Sequence, residues 1–258
     1  MNLARKLILL VALLVCFAGI NAGCGLVRRE ERRAAGEVSR AARKAEERSG
    51  EIVWRVKTNR KVVALTLDDG PDPKYTPLVL DLARKQRIKL TFCLVGREIQ
   101  AHPELARQEV AQGHQIGNHT WDHPGMTLEG ERQDVSEIER CEDEIERISG
   151  RRTHLFRPPK GLWDGEAFIA AETLGYRMIL WSVTLEHHDA KTPEAMAQRV
   201  LDGVRPGMII LAHDGEPGHT VHCERTMQAL PLLVAGLKKK GYELVTVPEL
   251  LKIGAEAR

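Results

Sequence analysis

The 258-residue chain carries 38 Lys and Arg against 36 Asp and Glu, a formal net charge of +2, with 43% hydrophobic and 4% aromatic residues. That balance excludes a global positive field and a base-stacking platform, so nucleic acid is not an expected partner and a small neutral or mixed-charge substrate is. The length is enough for one α/β domain of roughly 200 residues around a single sizeable core.

At the start of the chain, Arg5 and Lys6 precede an uncharged apolar run, Leu7 to Ile20, followed by Asn21-Ala22-Gly23-Cys24-Gly25 and then Arg28-Arg29. A basic stretch, an apolar segment and small residues in that order mark an export signal. Three fates are open: cleavage near Ala22, retention of Leu7 to Val27 as a membrane anchor, since roughly 20 apolar residues span a bilayer, or lipidation at Cys24, where Ala22-Gly23-Cys24 is similar to the end of a bacterial lipobox. Residues 1–27 are therefore read as signal peptide or membrane anchor, and the product as exported, either anchored or secreted. Residues 28–50, dense in charge and Ala, read as a solvated helix or linker. Cys93, Cys141 and Cys223 are too few and too widely spaced for a disulfide framework, with one bridge between two of them left open; Cys93, in IKLTFCLV, reads as a small core residue.

From Glu51 onward, short apolar runs alternate with amphipathic stretches. Strands are predicted at Val62–Leu67, Lys89–Val95, Gln115–Asn118, His154–Arg157, Arg177–Val183, Gly207–Ala212 and Tyr242–Val245. Helices are predicted at Thr76–Gln86, Pro103–Gln112, Glu131–Ile148, Glu166–Leu174, Pro193–Gly203 and Glu224–Lys240. The third is the clearest, with Val135, Ile138, Cys141, Ile145 and Ile148 at three- and four-residue steps. About seven parallel strands joined by helices predict an α/β fold, either a barrel or an open doubly wound sheet, and seven repeats favour a distorted or incomplete (β/α) barrel. The catalytic-size domain is assigned to residues 51–258.

The chemistry-bearing residues all fall at the carboxyl ends of predicted strands: Asp68 and Asp69 after the first, His119 and His123 after the third, Arg157 at the end of the fourth, His187, His188 and Asp189 after the fifth, and His213 and Asp214 after the sixth. In parallel α/β folds those ends share one face, where sites are built. His119 and His123, four apart, share a helical face if the segment turns helically; with Asp69 they make a three-ligand set with an open position. Zinc suits it best, with cobalt, nickel or iron(II) as alternatives. Residue 120 is Thr, so the H-E-x-x-H protease pattern is excluded and the base must come from another strand. Asp68 is the expected base, kept ionised by Arg157; His213 is the expected acid, with Asp189 on its other ring nitrogen.

The ordered motifs Thr66-Leu67-Asp68-Asp69-Gly70-Pro71, His119-Thr120-x-x-His123, Arg157-Pro158-Pro159 and Leu211-Ala212-His213 resemble those of the polysaccharide deacetylases, carbohydrate esterase family 4. The resemblance runs from about Lys61 to Leu251. It implies a distorted (β/α) barrel and metal-dependent removal of acetyl groups from N-acetylglucosamine polymers such as peptidoglycan or chitin, with O-deacetylation of xylan and a carbohydrate-binding domain without turnover as rival readings. It assigns Asp68 as base, Asp69, His119 and His123 as ligands, Arg157 as the group that steers Asp68, and His213 as acid. Two departures stand out: Lys160 replaces the aromatic residue that usually continues the third motif, and the Asp-Trp of the fourth motif becomes Asp189-Ala190.

Overall fold

β2 (Val62–Asp68) is buried along its whole length and organises the sheet. The computed structural model describes residues 52–127, 131–215 and 223–256; the predicted signal or anchor (1–27) and charged linker (28–50) lie outside the described residues. One side of β2 pairs with β3 (Thr91–Leu94), which leads through β4 (Gln115–Asn118), β5 (Leu155–Phe156) and β6 (Arg177–Ile179) to β1 (Ile52–Val53). The other side pairs with β8 (Ile209–His213), which leads to β7 (Val183–Thr184), while β9 (Glu243–Leu244) pairs with the first two residues of β2. Every one of these pairings is parallel. The result is a curled, incomplete barrel, the expected α/β fold.

The pleat of β2 divides the interior in two. Val63, Leu65 and Leu67 face outward into the large cluster shared with the helices, whereas Val62 and Ala64 face inward with Cys93, Leu155, Ile179 and Ile209 from neighbouring strands. Thr66 and Asp68 continue the inward-facing column, so Asp68 is its topmost member. Apolar packing ends there and chemistry begins.

The predicted strand Arg177–Val183 is two short strands instead. β6 joins one side of the sheet and β7 the other; between them Leu180 N donates to Val53 O and Ser182 N to Ile209 O, both at 2.8 Å. Curling brings the two edges close enough for one segment to serve both.

Eight helices flank these strands among the described residues: α1 (Thr76–Gln86), α2 (Gly96–Ala101), α3 (Pro103–Ala111), α4 (Glu131–Ser149), α5 (Gly165–Thr173), α6 (Pro193–Gly203), α7 (Cys223–Lys239) and α8 (Val247–Glu256). Local signals start several of them. Thr192 caps α6 through Ala195 N ahead of Pro193, and Asp164 caps α5 through Glu166 N and Ala167 N. In α4, Ile138, Cys141, Ile145 and Ile148 of the predicted stripe are buried, each aliphatic residue contributing about 1.5–3 kcal/mol, and Val135 at its start is partly buried. Cys93, Cys141 and Cys223 are all buried, and no bridge joins any two of them.

Candidate active site and metal centre

Parallel pairing aligns the strand ends. In register, Asp68 sits opposite His213 on one side and Cys93 on the other; Leu94 pairs with Asn118, and Asn118 with Phe156. Asp69, His119 and Arg157, each next in sequence after one of these strand ends, emerge on the same face as His213.

Asp69, His119 and His123 converge there. Asp69 Oδ1 lies 3.4 Å from His119 Nε2 and 3.2 Å from His123 Nε2. Those separations match the edge of a tetrahedron with bonds near 2.05 Å, about 3.3 Å. His119 Nδ1 is 2.7 Å from Arg157 O. A carbonyl only accepts, so Nδ1 donates to it, and Nε2 is the nitrogen turned toward Asp69. Burial, reinforced by His119, pulls the His123 pKa down to about 4 against the opposing pull of Asp69 and Asp68, so the His123 ring is neutral. Asp69 Oδ1 is buried without a hydrogen-bond donor. A buried carboxylate oxygen without a donor, facing two imidazole nitrogens, is what a divalent cation satisfies, and the set fits one.

The two histidines do not share a helical face. Residues 119–123 form a loop in which Thr120 (φ 70°) and His123 (φ 58°) are left-handed, so the chain doubles back to bring the rings together. Asn118 Oδ1 accepts from Thr120 N at 2.9 Å while its Nδ2 donates to Ile138 O at 2.9 Å. Thr120 Oγ1 accepts from His123 N at 3.1 Å, and Glu137 Oε2 accepts from Asp122 N at 2.9 Å. Helix α4 thus holds both ends of the ligand loop. Among the described residues, Asp69 (φ 80°), Thr120, His123 and Lys160 (φ 59°) account for four of the five non-glycine residues with positive φ. Strain of about 1–3 kcal/mol at each is concentrated at this face. Behind Asp69, a Cβ on Gly215 would come within 2.3 Å of Asp69 O, so only glycine lets the loop after β8 approach so closely.

The flanking groups are arranged for proton transfer. Burial raises the pKa of Asp68, but Arg157, followed by His119 and His213, more than offsets it and holds the carboxyl below its ordinary value. The guanidinium of Arg157 is completely buried; Nη1 donates to Asp68 Oδ1 at 2.6 Å and to Thr66 Oγ1 at 2.8 Å, and Nη2 donates to Leu180 O at 3.1 Å. Asp68 Oδ2, the oxygen free of Arg157, lies 3.7 Å from His119 Nε2 and so faces the ligand set.

His213 takes the opposite charge. Burial favours its neutral form, yet Glu186, backed by Asp69 and Asp68, outweighs burial and raises its pKa to about 9. Nδ1 lies 3.2 Å from Glu186 Oε2, slanted enough that the contact is an ion pair more than a straight hydrogen bond. Glu186 Oε1 also accepts from Thr226 Oγ1 at 2.7 Å and from His213 N at 3.2 Å.

Here the expectation for Asp189 is corrected. Its carboxylate pairs with His187 and His188 on an exposed loop, and Glu186, three residues earlier, is the acid that meets His213. Ala190 is buried in the large apolar cluster. Lys160 is exposed on the 3₁₀ turn Pro159–Gly161.

The family model for polysaccharide deacetylase matches residues 55–179, a span that holds Asp68, Asp69, His119, His123 and Arg157. A peptidoglycan-N-acetylglucosamine deacetylase of Bacillus cereus is 37% identical over 220 residues, covering 81% of this chain and 97% of that protein. The chain belongs to the polysaccharide deacetylase family. Two solved structures share its architecture. The Bc1960 peptidoglycan N-acetylglucosamine deacetylase, bound to a naphthyl N-hydroxybenzamide, superposes with a TM-score of 0.75 at 29% identity, covering 80% of this chain and 95% of that one. A family 4 acetyl xylan esterase from Clostridium thermocellum, with a cobalt ion, superposes with a TM-score of 0.68 at 34% identity, covering 75% and 91%. Glu186 and His213 lie beyond the segment that the family model matches; in this polysaccharide deacetylase domain the pairing of β8 with β2 sets His213 beside Asp68, and Glu186 meets His213.

Proposed function

We propose that the chain hydrolyses the acetamide of N-acetylglucosamine units in peptidoglycan or a chitin-like polysaccharide, with Asp69, His119 and His123 holding a divalent cation, zinc in the first instance. The observation that carries this reading is the register pair Asp68–His213. Two proton-transfer groups of opposite charge state stand side by side at the edge of one ligand set. A cation bound there would polarise the acetyl carbonyl and make water more acidic. Asp68, ionised beside Arg157, accepts the proton of the attacking water through Oδ2. His213, protonated beside Glu186, gives its Nε2 proton to the departing nitrogen as the C–N bond breaks. Water and acetamide thus become acetate and an amino sugar, and both groups start in the state the step requires.

Likeness to an acetyl xylan esterase supports a second reading, O-deacetylation at the same residues. Acetate release from acetylated chitooligosaccharide, peptidoglycan and acetylated xylan, each with and without chelator, separates the two. Chelator-sensitive release from the amino-sugar substrates is expected; release from xylan alone would replace the amide reading with the ester one. Both readings place the domain outside the cytoplasm behind residues 1–27, which cell fractionation tests directly. Activity confined to the cytosolic fraction would contradict export.

A further inference from the structure

The loop after β7 gathers a second group of ligand-type side chains. His187, His188 and Asp189 each offer an atom within 4.8 Å of the others. Asp189 divides its oxygens between the two rings: Oδ1 is 3.1 Å from His188 Nε2, and Oδ2 is 3.4 Å from His187 Nδ1. The ring centroids are 4.3 Å apart with 32° between their planes. The carboxylate thus bridges the two rings, one oxygen toward each, where in the first ligand set a single oxygen, Asp69 Oδ1, faces both.

Within the loop, His187 Nδ1 is also 3.3 Å from Asp189 N, which donates to it. A bond of that length is weak and is given up at little cost to an approaching ion. His188 and Asp189 are 79% and 72% exposed in their side chains, so the remaining coordination positions open to water.

We infer that His187, His188 and Asp189 form a second site for a borderline divalent ion of the zinc, nickel or copper kind, distinct from Asp69, His119 and His123 and weaker than it. Imidazole with carboxylate suits those ions better than magnesium or calcium. Among the described residues neither ring of the loop is held by a carbonyl as His119 is, and loss of such support lowers affinity by about 10–100-fold.

The test is a calorimetric titration of the chelator-stripped full chain with zinc chloride. Wild type should take up two equivalents, the second at least about tenfold weaker. His188→Ala should keep the tight phase and lose the weak one, with acetate release at one equivalent unchanged. Asp69→Asn should do the reverse, and where circular dichroism shows that it does not fold, His123→Ala replaces it. His154→Ala, which removes an exposed histidine elsewhere, should retain both phases. A single equivalent in wild type, or a weak phase that survives His188→Ala, overturns the second site while leaving the first intact.

Discussion

Asp68 and Asp69 are consecutive, nearly equally buried at 2% and 4% exposure, and opposite in their surroundings. Asp68 closes the inward column of β2 and is met by a buried guanidinium. Asp69, one residue later and left-handed, turns its Oδ1, which has no hydrogen-bond donor, toward the Nε2 atoms of two imidazoles. The first carboxylate is satisfied by the protein and free to take a proton. The second is incomplete without a cation. Identity and burial alone do not assign a role; the nearest charge does.

The sharpest way to break that comparison is to make the same change at both positions. Asp68→Asn should lower acetate release by about 10³–10⁴-fold while leaving tight zinc uptake in place, whereas Asp69→Asn should abolish the tight uptake itself. Equal loss of zinc in both variants would mean that the two acids share one job. Next in size, His213→Ala should cost about 10²–10³-fold on the acetamide substrate and less on an acetate ester, because an alkoxide leaves more readily than an amide nitrogen. An equal loss on both substrates would remove His213 as proton donor.

A smaller effect is expected from the anchor on α4. Glu137→Ala frees Asp122 N and should weaken tight zinc binding by about 10–100-fold, and Glu137→Gln, which still offers a carbonyl oxygen, should restore most of it. Zinc affinity unchanged in the Ala variant would mean that the loop holds itself. The mildest change is in pH dependence. His213 is a competent acid below its raised pKa, so activity should fall as pH rises through about 9, and Glu186→Gln should move that limb toward the ordinary 6.5. The same linkage applies to stability: the contribution of the His213–Glu186 pair is full below 6.5 and is lost as pH rises through about 9. An alkaline limb that does not move in Glu186→Gln would assign it to another group.

Much of this was legible from strand ends. Asp68, Asp69, His119, Arg157 and His213 were found because a buried parallel strand reads as a continuous apolar run, and the first polar residue after it marks the functional face. Glu186 was missed because the choice between it and Asp189 depends on how residues 186–190 turn, and no periodicity records a loop. The ligand loop was misjudged for a related reason: four-residue spacing fits a helix, yet Asn118 and Thr120 hold a left-handed path by side-chain bonds that spacing does not encode. Helix α8 did leave a signal. Thr246 and Glu249 form a capping box, with Thr246 N donating to Glu249 Oε2 at 2.7 Å, and T-x-x-E before an apolar run announces a helix start. The splitting of β6 from β7 left none, since it follows from closure of the sheet and not from Arg177–Val183 itself.

The most direct test of the central claim is acetate release from acetylated chitooligosaccharide by the chelator-stripped full chain, before and after one equivalent of zinc is restored. Release should be absent in the stripped protein and return with that equivalent. An undiminished rate in protein shown by elemental analysis to be metal-free would contradict the role given to Asp69, His119 and His123.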